Sequence, residues 1–587
     1  MRELRIADIL RLAAVAVFFT LLTVQGKADA SSRLIDHLSL KIEPKVLNPV
    51  REKHATGKII LTAVYKDGSE RVLKAAESVI TARTTHASGN VEVVAIEGGR
   101  VVPREGGVAT VEAALTDGGK TFRAAAEVVV TPFYRDYHQT LVLKLFLGME
   151  GEPVERLAKD PTFRKGHEVF CTFEEALEVI RKTDNLTRGI PKIVYLVGWQ
   201  KGGHDHGYPA WDEVNPRMKR KQDATPVESL RWLIREARRF STTVSLHLNM
   251  ADAYKQSPLW DEYLAQDCIA RDEKGEPYTL GIQVKGEDMY NVVYPKEWEA
   301  GLAQRRIDRL ITMIPELKAG HTIHIDVFIA NRDGGRPISP WHAKPEHGGL
   351  TPEKWVETQR KIFHYWRDRG FDVTGEGTGW AHPPGEHFVG LQPMSWWYSW
   401  NPMEIPERLG ARGRTDRGSD GDFRFGSSMH GEEIWRNDKM GMPGFLGMFC
   451  RTTLPWYYLS RLDRLEFNQG VLRYSDDVLA RTEDGRKIIR RGDFVLRENN
   501  DLFVPALWRT QREIIAYSQN GYENKSWILP EQWKGVSKVD LYKTTLEGGV
   551  LLKRDVPVTG RRLSLSIGND EAISVLPAGT KFSEGSK

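Results

Sequence analysis

The sequence predicts a multidomain α/β plus β protein: a (β/α)8-type barrel flanked by N-terminal and C-terminal β-sandwich domains. Three observations predict it. The chain has 587 residues, beyond the size at which a single hydrophobic core keeps growing. Its middle alternates strand-like and helical runs, the order of a (β/α)8 barrel. Its two flanks carry short alternating runs separated by turn signals, the pattern of sandwiches.

Taken in chain order, residues 1–30 read as a secretory signal. Arg2, Arg5 and Arg11 precede an apolar run from Leu12 to Val24, and Ala28-Asp29-Ala30 supplies a small-x-small cleavage site. The run is short for a membrane span; a retained anchor is the alternative, and no transmembrane span is expected once the signal is removed. A secreted, periplasmic or cell-surface location follows. Residues 31–134 show runs such as Lys58–Tyr65 and Gly107–Ala114, with turns at Lys66–Ser69 and Thr116–Gly119. This segment resembles bacterial immunoglobulin-like modules, and its expected job is spacing or docking.

The barrel is expected over residues 135–478. Tyr137–Phe146 opens it. Thr172 and Glu175 then form a capping box at a helix start. Ile193–Val197 is the second strand. Thr225 and Glu228 repeat the box, with Pro226 at the first helical position, and that helix is expected to bury Val227, Leu230, Leu233 and Phe240. Thr243–Asn249 is the third strand, followed by a helix from Trp298 to Leu317 and a strand through Ile323–Phe328. A helix from Pro352 to Arg369 leads to the strand Phe371–Glu376. The stretch Gly390–Asp476 resists segmentation. From residue 479 to 587, runs such as Asp501–Leu507, Gly535–Tyr542 and Arg562–Ile567 predict the second sandwich.

Composition removes several function classes. A net charge of +4 is too mild for a nucleic-acid footprint, and neither a Walker nor a dinucleotide fingerprint appears. Gly375–Gly379 is glycine-rich, but Glu376 would repel a phosphate, so it reads as a tight turn. Three cysteines, Cys171, Cys268 and Cys450, make no metal motif and no disulfide framework; buried free thiols are expected. No organic cofactor is expected, and a structural calcium has no EF-hand-like ligand series to support it. The sequence leaves oligomeric state open.

Chemistry concentrates at strand ends. In both late strand runs residues alternate, so His324, Asp326 and Phe328 share one face, as do Asp372, Thr374 and Glu376. Asp326 and Glu376 thus project together from parallel-strand tips, where barrel enzymes carry their active sites. Two such carboxylates are the machinery of glycoside hydrolysis, one as nucleophile or base and one as proton donor. Trp199, His204, Asp205, His247, Asn249 and the reserve carboxylate Asp252 line the same rim. Indoles stack on sugar rings, while amides, imidazoles and carboxylates meet hydroxyls. His204 and His206 are spaced like a metal pair, but no further ligand has motif spacing, so a loop or sugar contact is expected there and no metal. Trp396, Trp397 and Trp400 read either as buried core or as a stacking wall. Glu404, Glu432 and Glu433 are lid candidates, with solvated charge as the plain alternative.

Gly198-Trp199-Gln200, Gly203-His204-Asp205, Tyr208-Pro209, His247-Leu248-Asn249, Ile325-Asp326-Val327 and Gly375-Glu376 resemble the catalytic barrel of glycoside hydrolase family 101, the endo-α-N-acetylgalactosaminidases, and of the related family 129. The resemblance covers roughly Leu141 to Trp400. It implies a retaining hydrolase acting on mucin-type O-glycans, with Asp326 as nucleophile, Glu376 as general acid/base, and His204, Asp205 and Asn249 on sugar hydroxyls. The expected partner is an O-glycosylated protein or glycan. The alternatives are an α-glycosidase of other specificity and an inactive glycan-binding surface protein.

Overall fold

The computed structural model describes residues 34–50, 55–86, 92–130, 133–149, 169–284, 287–326, 328, 338–375, 428–430, 444–462, 464–468, 470–483 and 485–582. The expected signal, Glu376, the Trp396–Trp400 cluster and the lid candidates lie outside them. Among the described residues, no helix is long and apolar enough to cross a membrane.

The chain divides into two compact units, one of residues 1–85 with 92–130 and one of residues 86–91 with 131–587. The first is built of strands β1 (Ile35–Glu43), β2 (Val46–Leu47), β3 (Gly57–Tyr65), β4 (Glu70–Val72), β5 (Val79–His86), β6 (Val94–Glu97), β7 (Arg100–Pro103), β8 (Gly107–Asp117) and β9 (Lys120–Val130). They form two sheets, ordered β1-β3-β7-β6 with β4 on β3, and β2-β9-β8-β5. Alternation sets which side is covered: Ala109, Val111 and Ala113 are buried while Glu112 reaches out to Arg83.

In the second unit, β10 (Leu141–Phe146), β11 (Lys192–Val197), β12 (Thr242–Asn249), β16 (Thr322–Asp326), β17 (Asp372–Gly375) and β18 (Ser428–His430) make one parallel sheet in the order β17-β16-β12-β11-β10-β18. Five successive strands are thus neighbours in sequence order. β10 and β11 are buried at every position, which explains their near-continuous apolar runs.

The helices between them start where the sequence marks them. The helix Phe173–Leu186 has the Thr172–Glu175 box and the helix Pro226–Glu236 the Thr225–Glu228 box, each with both reciprocal bonds made. The second helix buries Ser229, Leu230, Leu233 and Ile234. Val227 and Phe240 are only half-buried, because the backbone tightens to a 3-10 turn at Ala237–Phe240 and carries Phe240 off the helical face. The expected helix Trp298–Leu317 is interrupted at Gly301, whose φ of 73° is left-handed. It becomes Tyr294–Glu299, Leu302–Met313 and a 3-10 turn. A small antiparallel sheet of β13 (Asp252–Ala253), β14 (Thr279–Val284) and β15 (Glu287–Asn291) rises from the end of β12.

The C-terminal sheet begins at Arg464, upstream of residue 479. Its strands are β19 (Arg464–Asn468), β20 (Val471–Tyr474), β21 (Val478–Glu483), β22 (Arg486–Arg491), β23 (Phe494–Glu498), β24 (Asp501–Pro505), β25 (Ile514–Ser518), β26 (Tyr522–Ile528), β27 (Lys538–Thr545), β28 (Gly548–Pro557), β29 (Arg562–Ile567) and β30 (Glu571–Pro577). Ten run β19-β20-β21-β22-β23-β24-β25-β30-β27-β28, and β26 pairs with β29. A buried bidentate pair ties this region to the α/β part. Arg188 Nε and Nη2 donate to Glu513 at 2.6 and 3.2 Å, and Trp508 Nε1 donates to the Arg188 carbonyl at 2.9 Å. Cys171, Cys268 and Cys450 are buried free thiols.

Candidate active site

The C-terminal ends of β11, β12 and β16 bring the site together. After β11 the chain turns down onto the end of β10 through Gly198 and Gly203, both at φ 75°. A Cβ at Gly198 would sit 2.0 Å from the Gly148 carbonyl oxygen, and one at Gly203 would lie 2.8 Å from the same backbone. Only glycine permits that approach. The approach lets His204 N–H donate to the Gly148 carbonyl at 2.9 Å, while Gln200 Nε2 donates to the Gly203 carbonyl and to the Tyr208 hydroxyl at 2.7 and 2.9 Å. The imidazole of His204 is thereby held at the mouth, against Phe146 with ring centroids 5.2 Å apart.

β12 and β16 are paired so that His247 lies beside His324 and Asn249 beside Asp326. In a parallel ladder such neighbours share a face, and the rings form a column: His204 to His247 5.4 Å, His247 to His324 5.3 Å, His324 to Tyr195 5.1 Å. His324 Nδ1 is 2.8 Å from Thr374 Oγ1 on β17. His247 Nε2 is 3.1 Å from Asp326 Oδ2, with His247 1% and Asp326 6% exposed. The contact sets an imidazole directly against the carboxylate at the tip of β16. Asp205 sits beside His204, Oδ2 to Nε2 3.3 Å. Burial pushes the Tyr208 and Tyr254 hydroxyls far above their ordinary range, and the nearby carboxylates Asp205, Asp252 and Asp326 push them further. Both phenols therefore stay neutral donors close to three acids.

His204, Asp205, His247 and Asp326 are thus brought together as the sequence suggested. Two expected sugar contacts are redirected. Trp199 is fully buried and its Nε1 donates to the His247 carbonyl at 3.0 Å; it braces the strand that carries His247, with no face open for stacking. Asn249 is likewise consumed by the protein. Its Oδ1 accepts from the Ala251 and Asp252 amides, both at 2.8 Å, and its Nδ2 donates to Asp252 Oδ2 at 2.6 Å, so it shapes the turn after β12. Glu376, Trp396 and Trp397 lie outside the described residues. Tyr208, Tyr254 and His324 are the neighbours that sequence reasoning left without a role. Their signal was present: Tyr208 and Tyr254 follow the two loop motifs, and His324 shares the Asp326 face.

One group among the described residues has metal-ligand chemistry. His204, His247 and Asp326 each offer a donor atom, all within 4.8 Å of one another. The sequence expectation of no metal rested on the absence of a local motif, and this group is assembled from three separate segments.

At the opposite, N-terminal end of the strands, Asp372 is buried and accepts from the Tyr134 and Arg135 amides and from the Tyr137 hydroxyl at 2.9, 3.0 and 3.1 Å. Burial pushes its carboxyl up to about 7, against those three donors and Arg135. Its place beneath the strands marks it as part of the structural base.

A search of curated proteins finds no sequence relative. Among solved structures, the α-N-acetylgalactosaminidase NagBb of Bifidobacterium bifidum with GalNAc is 11% identical over 74% of this chain and 87% of its own, at a TM-score of 0.41. The maltogenic amylase of S. marinus is 11% identical over 93% and 88%, at 0.40. The α-amylase of Geobacillus thermoleovorans with acarbose is 11% identical over 75% and 99%, at 0.35. The assignment comes from a family model: glycoside hydrolase 101, described as endo-alpha-N-acetylgalactosaminidase, matches residues 154–359, the span that holds His204, Asp205, His247 and Asp326. Residues 154–359 thus match the glycoside hydrolase family 101 model, and the chain is a glycosidase.

Proposed function

We propose that the protein is a secreted retaining glycosidase. It cleaves α-linked N-acetylgalactosamine, or the Gal-β-1,3-GalNAc disaccharide, from Ser or Thr of O-glycoproteins. The observation that carries this reading is Asp326 at the tip of β16, with the His247 imidazole 3.1 Å from its carboxylate, inside the matched segment. A retaining hydrolase needs an ionised, oriented nucleophile to form the glycosyl-enzyme, and a second carboxyl group that first protonates the leaving oxygen and then deprotonates water. Asp326 takes the first role and Glu376 the second. His204 and Asp205, only partly covered at the loop after β11, bind hydroxyls, and the neutral phenols of Tyr208 and Tyr254 lend donors near the reacting centre.

The test is turnover of an aryl α-N-acetylgalactosaminide and of the aryl core-disaccharide glycoside by the wild type, Asp326→Ala and Glu376→Gln. Both variants are expected to lose hydrolysis, and azide is expected to rescue Asp326→Ala with a glycosyl azide of inverted configuration as product. Full activity in either variant removes that residue from the mechanism. Cleavage of the disaccharide alone establishes endo action, and binding of both compounds without cleavage favours a glycan-binding role.

A further inference from the structure

We propose that His204, His247 and Asp326 form a site for a divalent transition-metal ion of the zinc class, and that the ion switches the glycosidase off by occupying the Asp326 carboxylate. The inference rests on Asp326 being the nucleophile. Its structural basis is separate: a donor set from the loop after β11, from β12 and from β16, with all three donor atoms within 4.8 Å of one another. Ligands about 2.0–2.1 Å from a tetrahedral zinc stand ~3.4 Å apart. His247 Nε2 and Asp326 Oδ2, at 3.1 Å, are already at that spacing. His204 has at most ~1.4 Å to close, a distance that rotation of its side chain can cover.

The chemistry of the donors selects the ion. Two imidazoles and one carboxylate suit zinc, cobalt, nickel or copper, whereas magnesium and calcium demand oxygen ligands. A ligating imidazole is ordinarily fixed by a carboxylate on its other nitrogen. Asp205 Oδ2, 3.3 Å from His204 Nε2, fills that place. Asp205 and Asp252 also add negative charge around the site without being ligands. A metal ion held by His247 and Asp326 would thus occupy the carboxylate that the reaction needs.

The experiment is calorimetric titration of the chelator-treated full-length chain with zinc chloride, alongside visible spectroscopy with cobalt chloride. One zinc per chain is expected, weakened at least tenfold in His204→Ala and in His247→Ala, with magnesium and calcium chlorides unable to compete. The cobalt spectrum of the wild type should show the intense d–d bands of a four- or five-coordinate nitrogen–oxygen site, a readout that needs no variant to fold. Turnover should fall in step with zinc occupancy and return with EDTA. No stoichiometric uptake, uptake indifferent to both substitutions, or a hexa-aqua cobalt spectrum overturns the metal site and leaves the glycosidase reading standing. Uptake at these residues with undiminished turnover overturns the switch and, with it, Asp326 as nucleophile.

Discussion

Replacing Glu513 by Gln tests how the α/β part is fastened to the C-terminal sheet. Arg188 and Glu513 are 1% and 0% exposed at their side chains, and Arg509 Nε stands 3.5 Å from the same carboxylate at 8% exposure. The Arg188 guanidinium also lies 3.7 Å from the Phe582 ring centroid. Removing the carboxylate that faces two desolvated arginines breaks a buried pair, and a loss of this kind costs about 3–5 kcal/mol. Arg188→Met should cost less than Glu513→Gln, because Glu513 keeps Arg509. The double change Arg188→Met with Glu513→Leu should recover part of the loss, short of wild type, since Arg509 loses the carboxylate beside it. Urea unfolding of the full chain followed by tryptophan fluorescence reads this directly, because Trp508 donates to the Arg188 carbonyl. A Glu513→Gln penalty below about 1 kcal/mol, the range of exposed pairs, would mean that water reaches the pair and the argument from burial fails.

Other consequences are equally specific. Asp372 has its carboxyl raised to about 7 by burial, so the stability it contributes is present below its unfolded value near 3.9 and is lost as pH rises through 7. Melting temperature should therefore fall more steeply between pH 5 and 8 in the wild type than in Asp372→Asn, and parallel slopes would contradict this. Gly203→Ala should abolish turnover and lower the melting temperature, since its Cβ would press on the Gly148 and Met149 backbone; a fully active variant would show that the loop tolerates retreat from β10. Thr225→Ala removes one side of a complete capping box and should cost about 1 kcal/mol in chemical denaturation with kcat unchanged. All three cysteines are buried and burial raises each thiol, so native-state alkylation followed by mass spectrometry should add nothing on a time scale that modifies the unfolded chain three times.

Much of the site was readable from local pattern. The period of two in Thr322–Asp326 put His324 and Asp326 on one face, and the structure places that face against His247. The capping boxes located two helix starts because Thr and Glu at that spacing satisfy orphan amides wherever they occur. Local signals failed where a neighbour decided the outcome. Trp199 was expected to meet sugar, but an indole N–H near the His247 carbonyl finds its partner there. Asn249 looked like a hydroxyl contact, yet the turn at Ala251 and Asp252 takes both its carbonyl acceptor positions and one amide hydrogen. Gly301 broke a helix that the apolar periodicity alone would continue.

What the sequence by itself determined is therefore the order of elements and the residues on each strand tip, because hydrophobic period, caps and turn chemistry act over a few residues. What only the tertiary structure decided is which of those residues meet. His204, His247 and Asp326 are separated by 43 and 79 positions in the chain and converge within 4.8 Å because parallel pairing of β12 with β16, and the descent of Gly198 and Gly203 onto the end of β10, are long-range packing events that no local pattern encodes.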